Sequence, residues 1–190
     1  MGDDLPERAA SKPKRLTRVD REQVRKLIVD AFASVERPGN WALRQSFEGD
    51  EPYLVEKEFQ DKTDWRTLDA AFLDQAPNGY ASALSFFSDE AFRYFLPAYM
   101  LADLDGLLER ADPVFHLCHG LDDVTRSQVV NPRRYGDRTM FDARQHRLST
   151  FTREEARAIV AFLRFRAAED DVARKSIDQA IANYWRGRAE

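Results

Sequence analysis

Cysteine is nearly absent from this chain. Cys118 stands alone, so no internal disulfide can form. A lone thiol suits a reducing cytosol better than an oxidising compartment, so the expected location is cytoplasmic. Long apolar runs are missing too. The longest stretch without a charge, residues 75–88, contains Pro77, Asn78 and Gly79 and is too short and broken to span a bilayer. The opening MGDDLPERAASKPKRLTR has no apolar h-region, and Pro6 stands where a myristoylation motif wants Ser or Thr. No membrane partner is expected. Excess positive charge is also lacking. The formal net charge is −4, whereas nucleic-acid binders usually carry a strongly basic signature. Finally, there is no glycine-rich phosphate loop, no Gly-x-Ser-x-Gly elbow and no His-Glu-x-x-His. These absences weaken the case for an enzyme without ending it, and no cofactor is implied.

What is present is helical patterning. The 190 residues are 43% hydrophobic and 33% charged, enough for one domain with a sizeable core. Residues 1–16 are polar, hold two prolines and read as a disordered arm. Asp20, with Gln23 in the capping-box position, reads as the cap of a first helix. Val24, Leu27, Ile28, Ala31, Phe32 and Val35 form its apolar stripe, and Pro38 and Gly39 stop it. A loop with Trp41 and Phe47 follows, then a short helix started by Pro52. A further helix is expected from about residue 64 to 75, with Trp65, Leu68 and Phe72 on one side and PNG at 77–79 as its breaker.

The stretch FFSDEAFRYFLPAYM, residues 86–100, holds six aromatics and a proline. Ser88 caps it, and Asp89 and Glu90 suit the positive end of a helix dipole. Pro97 would clash with the carbonyl of Arg93, which predicts a kink near residue 93. At this spacing most of the rings belong to a core, with Tyr94 the ring expected off the stripe and open to contact. The apolar VFHLCHGL, 114–121, has no clear assignment. Residues 122–150 read as a long polar, arginine-rich loop, with a short helix near 124–130 as an option. TREE at 152–155 is the strongest capping box, and Ala156, Ile159, Val160 and Leu163 follow it on one face. The last helix carries Ala173, Ile177, Ala180, Ile181 and Tyr184 and is expected to end at Gly187. Together these predict an all-α protein. The expected form is a compact single-domain bundle of about six helices, residues 17–190, around a proline-kinked central helix.

The segment ALSFFSDEAFRYFLPAYM, 83–100, resembles the hallmark of a bacterial family of unknown function. DPVFHL at 112–117 and RLSTFTREEARAIVAFLRF at 147–165 are similar to later segments of that family, in the same order. The resemblance spans about residues 20–185. It implies a small, soluble helical protein and transfers no catalytic residue.

Three clusters invite chemistry. His116, Cys118 and His119 include good zinc-ligand types, but a structural site needs four ligands and only His146 remains among the histidines. The same residues could form a Cys–His nucleophile pair, though adjacency supplies no geometry. The blander reading is a half-buried histidine and a small core thiol. Asp89 and Glu90 with Arg93 could act as paired acids, yet first-turn acids are favoured for helix stability alone. Residues 48–64 hold seven acids and two lysines, the most acidic window of the chain.

Two functional expectations follow. The first is a protein-interaction module that uses Glu48, Asp50, Glu51, Glu56 and Glu58, with Arg133, Arg134 and Arg138 in the long loop. Its expected partner is a protein, basic if the acidic window docks it; a cytosolic immunity or antitoxin protein against a basic toxin is one concrete form. The alternative is a small enzyme or ligand-binding protein with Asp89, Arg93, Tyr94, His116 and His119 around a pocket beside the kinked helix. A nucleic-acid role through Arg126, Arg133, Arg134, Arg138, Arg144 and Arg147 ranks third, because neighbouring acids offset them.

Overall fold

A computed structural model describes residues 18–75 and 83–190. The amino-terminal arm and the PNG breaker lie outside the described residues. The described part is mostly helix, and its only β pairing is two isolated bridges.

The described residues begin with α1, Arg18–Phe32. Asp20 therefore sits inside the first turn and not at its cap. Loop residues lead to α2, Glu51–Phe59, with Pro52 in the first turn as its fixed φ favours. The single helix expected over 64–75 is instead two pieces. A 3-10 turn, Trp65–Thr67, is followed by extended Leu68 and by the one-turn α3, Ala70–Leu73. Each piece has its own aspartate cap. Asp64 accepts from the Arg66 N–H and Asp69 from the Phe72 N–H. Aspartate competes for nearby backbone donors, and two such residues five apart divide what the apolar spacing would join.

After α4, Ala83–Phe86, comes α5, Asp89–Leu104. Ser88 caps α5 by accepting from the Ala91 N–H, and Asp89 and Glu90 occupy the first turn. The helix continues through Pro97. Eleven of its sixteen residues are buried, so it is apolar nearly all round, as a central helix must be. It packs against α1, α3, α6 and α9. Tyr94, expected to face outward, is only 4% exposed, and its hydroxyl donates to the Thr63 carbonyl at 2.7 Å. A phenol can satisfy its polar tip with a backbone carbonyl while its ring stays in the core, which periodicity alone does not reveal.

The apolar 114–121 stretch contains α6, Pro113–Cys118, started by Asp112, which accepts from the Phe115 N–H. Residues 122–150 carry more order than a loop. Turns run through 123–127 and no helix forms over 124–130, the place of the optional short helix. Then come the one-turn α7, Pro132–Tyr135, and α8, Met140–Leu148, which begins with a full capping box between Thr139 and Asp142. Aspartate at the third helical position does the work that the usual motif gives to glutamate or glutamine.

The long α9, Arg153–Glu169, starts at the expected Thr152–Glu155 box and packs on α1 and on α10, Asp171–Ala180. Asp170 ends one helix and caps the next by accepting from the N–H groups of Val172 and Ala173. A π turn, Ile181–Trp185, then turns both Tyr184 and Trp185 inward. Helix continues past Gly187 as α11, Arg186–Ala189.

Rings tie these elements together. Phe59 of α2 meets Phe87 and Phe95 at 4.8 and 4.9 Å between centroids. Phe151 touches Phe32, Phe92 and Trp185. The Trp185 indole N–H donates to the Leu117 carbonyl at 2.8 Å, which satisfies the polar atom of a fully buried ring.

Candidate functional site

The loop before α2 is held on that helix by two arginines. Arg37 donates to the carbonyls of Phe59, Gln60 and Lys62, capping the end of α2 while also reaching Asn40. Arginine suits this because its planar fork serves several acceptors at once. Arg44 pairs with Glu56 of α2. Its guanidinium lies 4.1 Å from the Phe47 ring centre and 4.2 Å from that of Tyr53, so three side chains form a cation–π group at the surface. The loop is further fixed from behind, where the Gln45 N–H donates to the Phe86 carbonyl and the Ser88 N–H to the Leu43 carbonyl.

This scaffold leaves large rings in water. Trp41 is 87% exposed, Phe47 79% and Tyr53 45%. The same segment carries acids. Asp50 precedes α2 without making a cap bond, and Glu51 opens the helix. Asp50, Glu51 and Glu58 have no ion pair among the described residues, whereas Glu56 is committed to Arg44 and Glu48 to Arg134, at 2.8 Å.

That last pair joins the acidic window to the 129–139 turn. The Val130 N–H donates to the Arg138 carbonyl and the Met140 N–H to the Gln128 carbonyl, clipping the turn at its base. Asn131 and Gly136 take the positive φ values that reverse the chain. Arg133 and Arg134 are displayed from α7, and Arg134 and Arg138 both lie over the Tyr135 ring. The structure thus brings together one acid and one arginine of the two sets predicted from sequence, and it adds Trp41, Phe47, Tyr53 and Arg44. Trp41 and Phe47 were visible in a loop of the sequence, but nothing in the pattern marked them as exposed.

The residues of the alternative pocket are only partly gathered. Asp89 and His116 line one cavity. Arg93 instead turns to α9, where it makes two hydrogen bonds, 2.7 and 2.9 Å, to Glu155, itself only 2% exposed. Tyr94 is bound to Thr63, and His119 ends α6 stacked on Phe115 at 4.7 Å. His116 is 4% exposed, and burial, reinforced by the charges of Arg144 and Arg147, pushes its pKa down to about 3. Burial likewise holds the Cys118 thiol well above its ordinary pKa, the reverse of what a nucleophile needs. Among the described residues, no three His, Cys, Asp or Glu side chains gather as metal ligands would. Likewise, no described helix is long and apolar enough to cross a membrane.

A family model covers residues 20–189, nearly the whole described chain, and it settles the family. The chain belongs to a family of unknown function (DUF6714). No curated protein and no solved structure matches it. The residues that carry the sequence resemblance, 83–100, are those of α4 and the central helix, and they lie mostly in the core.

Proposed function

We propose that this protein is an interaction module and that its docking face is the unit formed by the 37–50 loop, α2 and the 129–139 turn. The observation that carries this reading is the exposure of Trp41, Phe47 and Tyr53 on a loop pinned by Arg37 and Arg44. Exposed aromatics cost solubility, and folding here gains little from them. Tryptophan, tyrosine and arginine are also the residues enriched at interface hot spots, where rigid rings bury much area at small entropic cost. Asp50 and Glu51, which lie between Phe47 and Tyr53 in the chain and make no ion pair among the described residues, favour a basic protein partner by complementary potential. A bacterial cytosolic setting and a toxin-neutralising role are a concrete form of this proposal; the compositional support is a lone buried thiol and a net negative charge.

The test is capture from the native host followed by reconstitution with the purified partner. Phe47→Ala with Tyr53→Ala should abolish binding, and Asp50→Lys with Glu51→Lys should weaken it more at low salt than at high salt. Retention of full affinity by the ring variant would overturn the proposal. A captured partner that is acidic would overturn the charge argument.

A further inference from the structure

Behind the docking face lies a cavity of about 420 Å³. Its polar lining includes Gln45, Asp89 at the start of α5, His116 of α6, and Arg144, His146 and Arg147 of α8. Two arginines one helical turn apart face the same space. Arg147 is held by the protein through its terminal nitrogens, while its buried Nε makes no hydrogen bond. It donates to the Leu84 and Phe87 carbonyls and to Gln45, lies 4.5 Å from the Phe92 ring centre, and has Asp89 3.6 Å from its Nε. Arg144 is not. It has no hydrogen bond, ion pair or ring contact among the described residues, and Asp89 is the only acid among the described residues of the lining.

An unpaired cation in a half-enclosed site is costly unless something completes it. The cost is visible in both arginines. Burial lowers the pKa of Arg144, and burial together with the charge of Arg144 brings Arg147 down to about 10. His116 is kept neutral by the same surroundings and adds no further positive charge. The stem of Arg144 is also positioned by the backbone. It lies over Gly120, whose φ is +83, and a Cβ built there would come within 2.7 Å of Arg144 Cγ. Phe115 and Met140 form an apolar wall beside the charged one.

We infer that this cavity binds a small organic oxyanion, a carboxylate or phosphate monoester, through the guanidinium of Arg144, with its apolar body against Phe115 and Met140. A guanidinium is the group best matched to such an oxyanion, because it can offer two parallel N–H donors. Asp89 is engaged with Arg147, 3.6 Å away, which leaves Arg144 to meet the ligand's charge.

The full-length protein is titrated with inorganic phosphate and, separately, with benzoate, with chloride as the control for ionic strength. Thermal unfolding and the Arg144 Nε–H resonance are followed together. At least one probe should raise the melting temperature saturably at millimolar concentration and shift that resonance. A response to phosphate alone assigns the phosphate class, and a response to benzoate alone assigns the carboxylate class. Arg144→Met should weaken binding about ten- to a hundredfold. Without ligand, it should melt no lower than the parent, because an uncompensated charge has been removed. Arg144→Lys keeps the charge without the fork and should bind with intermediate strength, which covers the case of a poorly folding Met variant. The inference fails if neither probe produces a saturable response, or if Arg144→Met binds as tightly as the parent.

Discussion

The rings of α5 and the rings of the 41–53 loop have the same chemistry and opposite fates. Phe92, Phe95 and Tyr99 are wholly buried; Trp41 and Phe47 are nearly as exposed as free side chains. The charge pairs divide in the same way. Arg93 meets a buried Glu155, while Arg134 meets Glu48 at the surface. The hub is thus built from contacts that water cannot replace. The rim is built from contacts that position side chains without burying them. Stability resides in the first, and the proposed recognition uses the second.

The strongest way to break this comparison is to truncate one ring from each side. Phe95→Ala should lower unfolding free energy by about 3–5 kcal/mol, since it opens a cavity among Phe59, Phe87 and Tyr94. Phe47→Ala should change it by less than about 0.5 kcal/mol. Guanidinium unfolding of both variants checks the contrast. Arginines come next. Arg93→Met strands the Glu155 carboxylate in the core and should cost about 3 kcal/mol, whereas Arg134→Met should cost under about 0.5 kcal/mol.

Much of the hub was legible in the sequence. The Ser88 and Thr152 caps, the apolar face of α9, the Val24, Ile28 and Phe32 positions of α1 and the central place of residues 89–104 all follow from spacing and cap chemistry, whereas Leu27 of the expected α1 stripe is exposed and Val35 lies past the end of the helix. The rim was not, for reasons that are physical. Asp64 and Asp69 divided an expected helix because local side-chain bonds outcompeted periodicity. The 122–150 segment is polar because α8 is a surface helix with only Leu148 fully buried, so it lacks a strong stripe. Exposure of Trp41 and Phe47 depends on where Arg37 and Arg44 anchor the loop, and those anchors join residues far apart in the chain. The pocket set failed in part because Arg93 and Tyr94 found distant partners, Glu155 and the Thr63 carbonyl, that no local pattern names.

A titration sharpens the comparison further. Burial raises the Asp103 pKa to about 6 from 3.8, against the lowering effect of Arg166 and with help from Asp112 and Glu169. Between those values the folded state holds a proton that the unfolded chain releases, so stability falls as pH rises from about 4 to about 6. Asp103→Asn should remove roughly 2–3 kcal/mol of that decline. The check is the difference between the two stability–pH curves.

A smaller effect is expected from Thr139→Ala. Losing the capping box of α8 should cost about 1 kcal/mol. Hydrogen exchange should quicken in 129–148 and remain slow in α5. Equal acceleration in both would show that rim and hub unfold as one unit.

The central claim is that the exposed rings serve binding and not folding. One double variant, Phe47→Ala with Tyr53→Ala, measures both properties in the same sample through its guanidinium midpoint and its affinity for the purified partner. An unchanged midpoint with lost affinity is the predicted result. A lowered midpoint with affinity intact would contradict it.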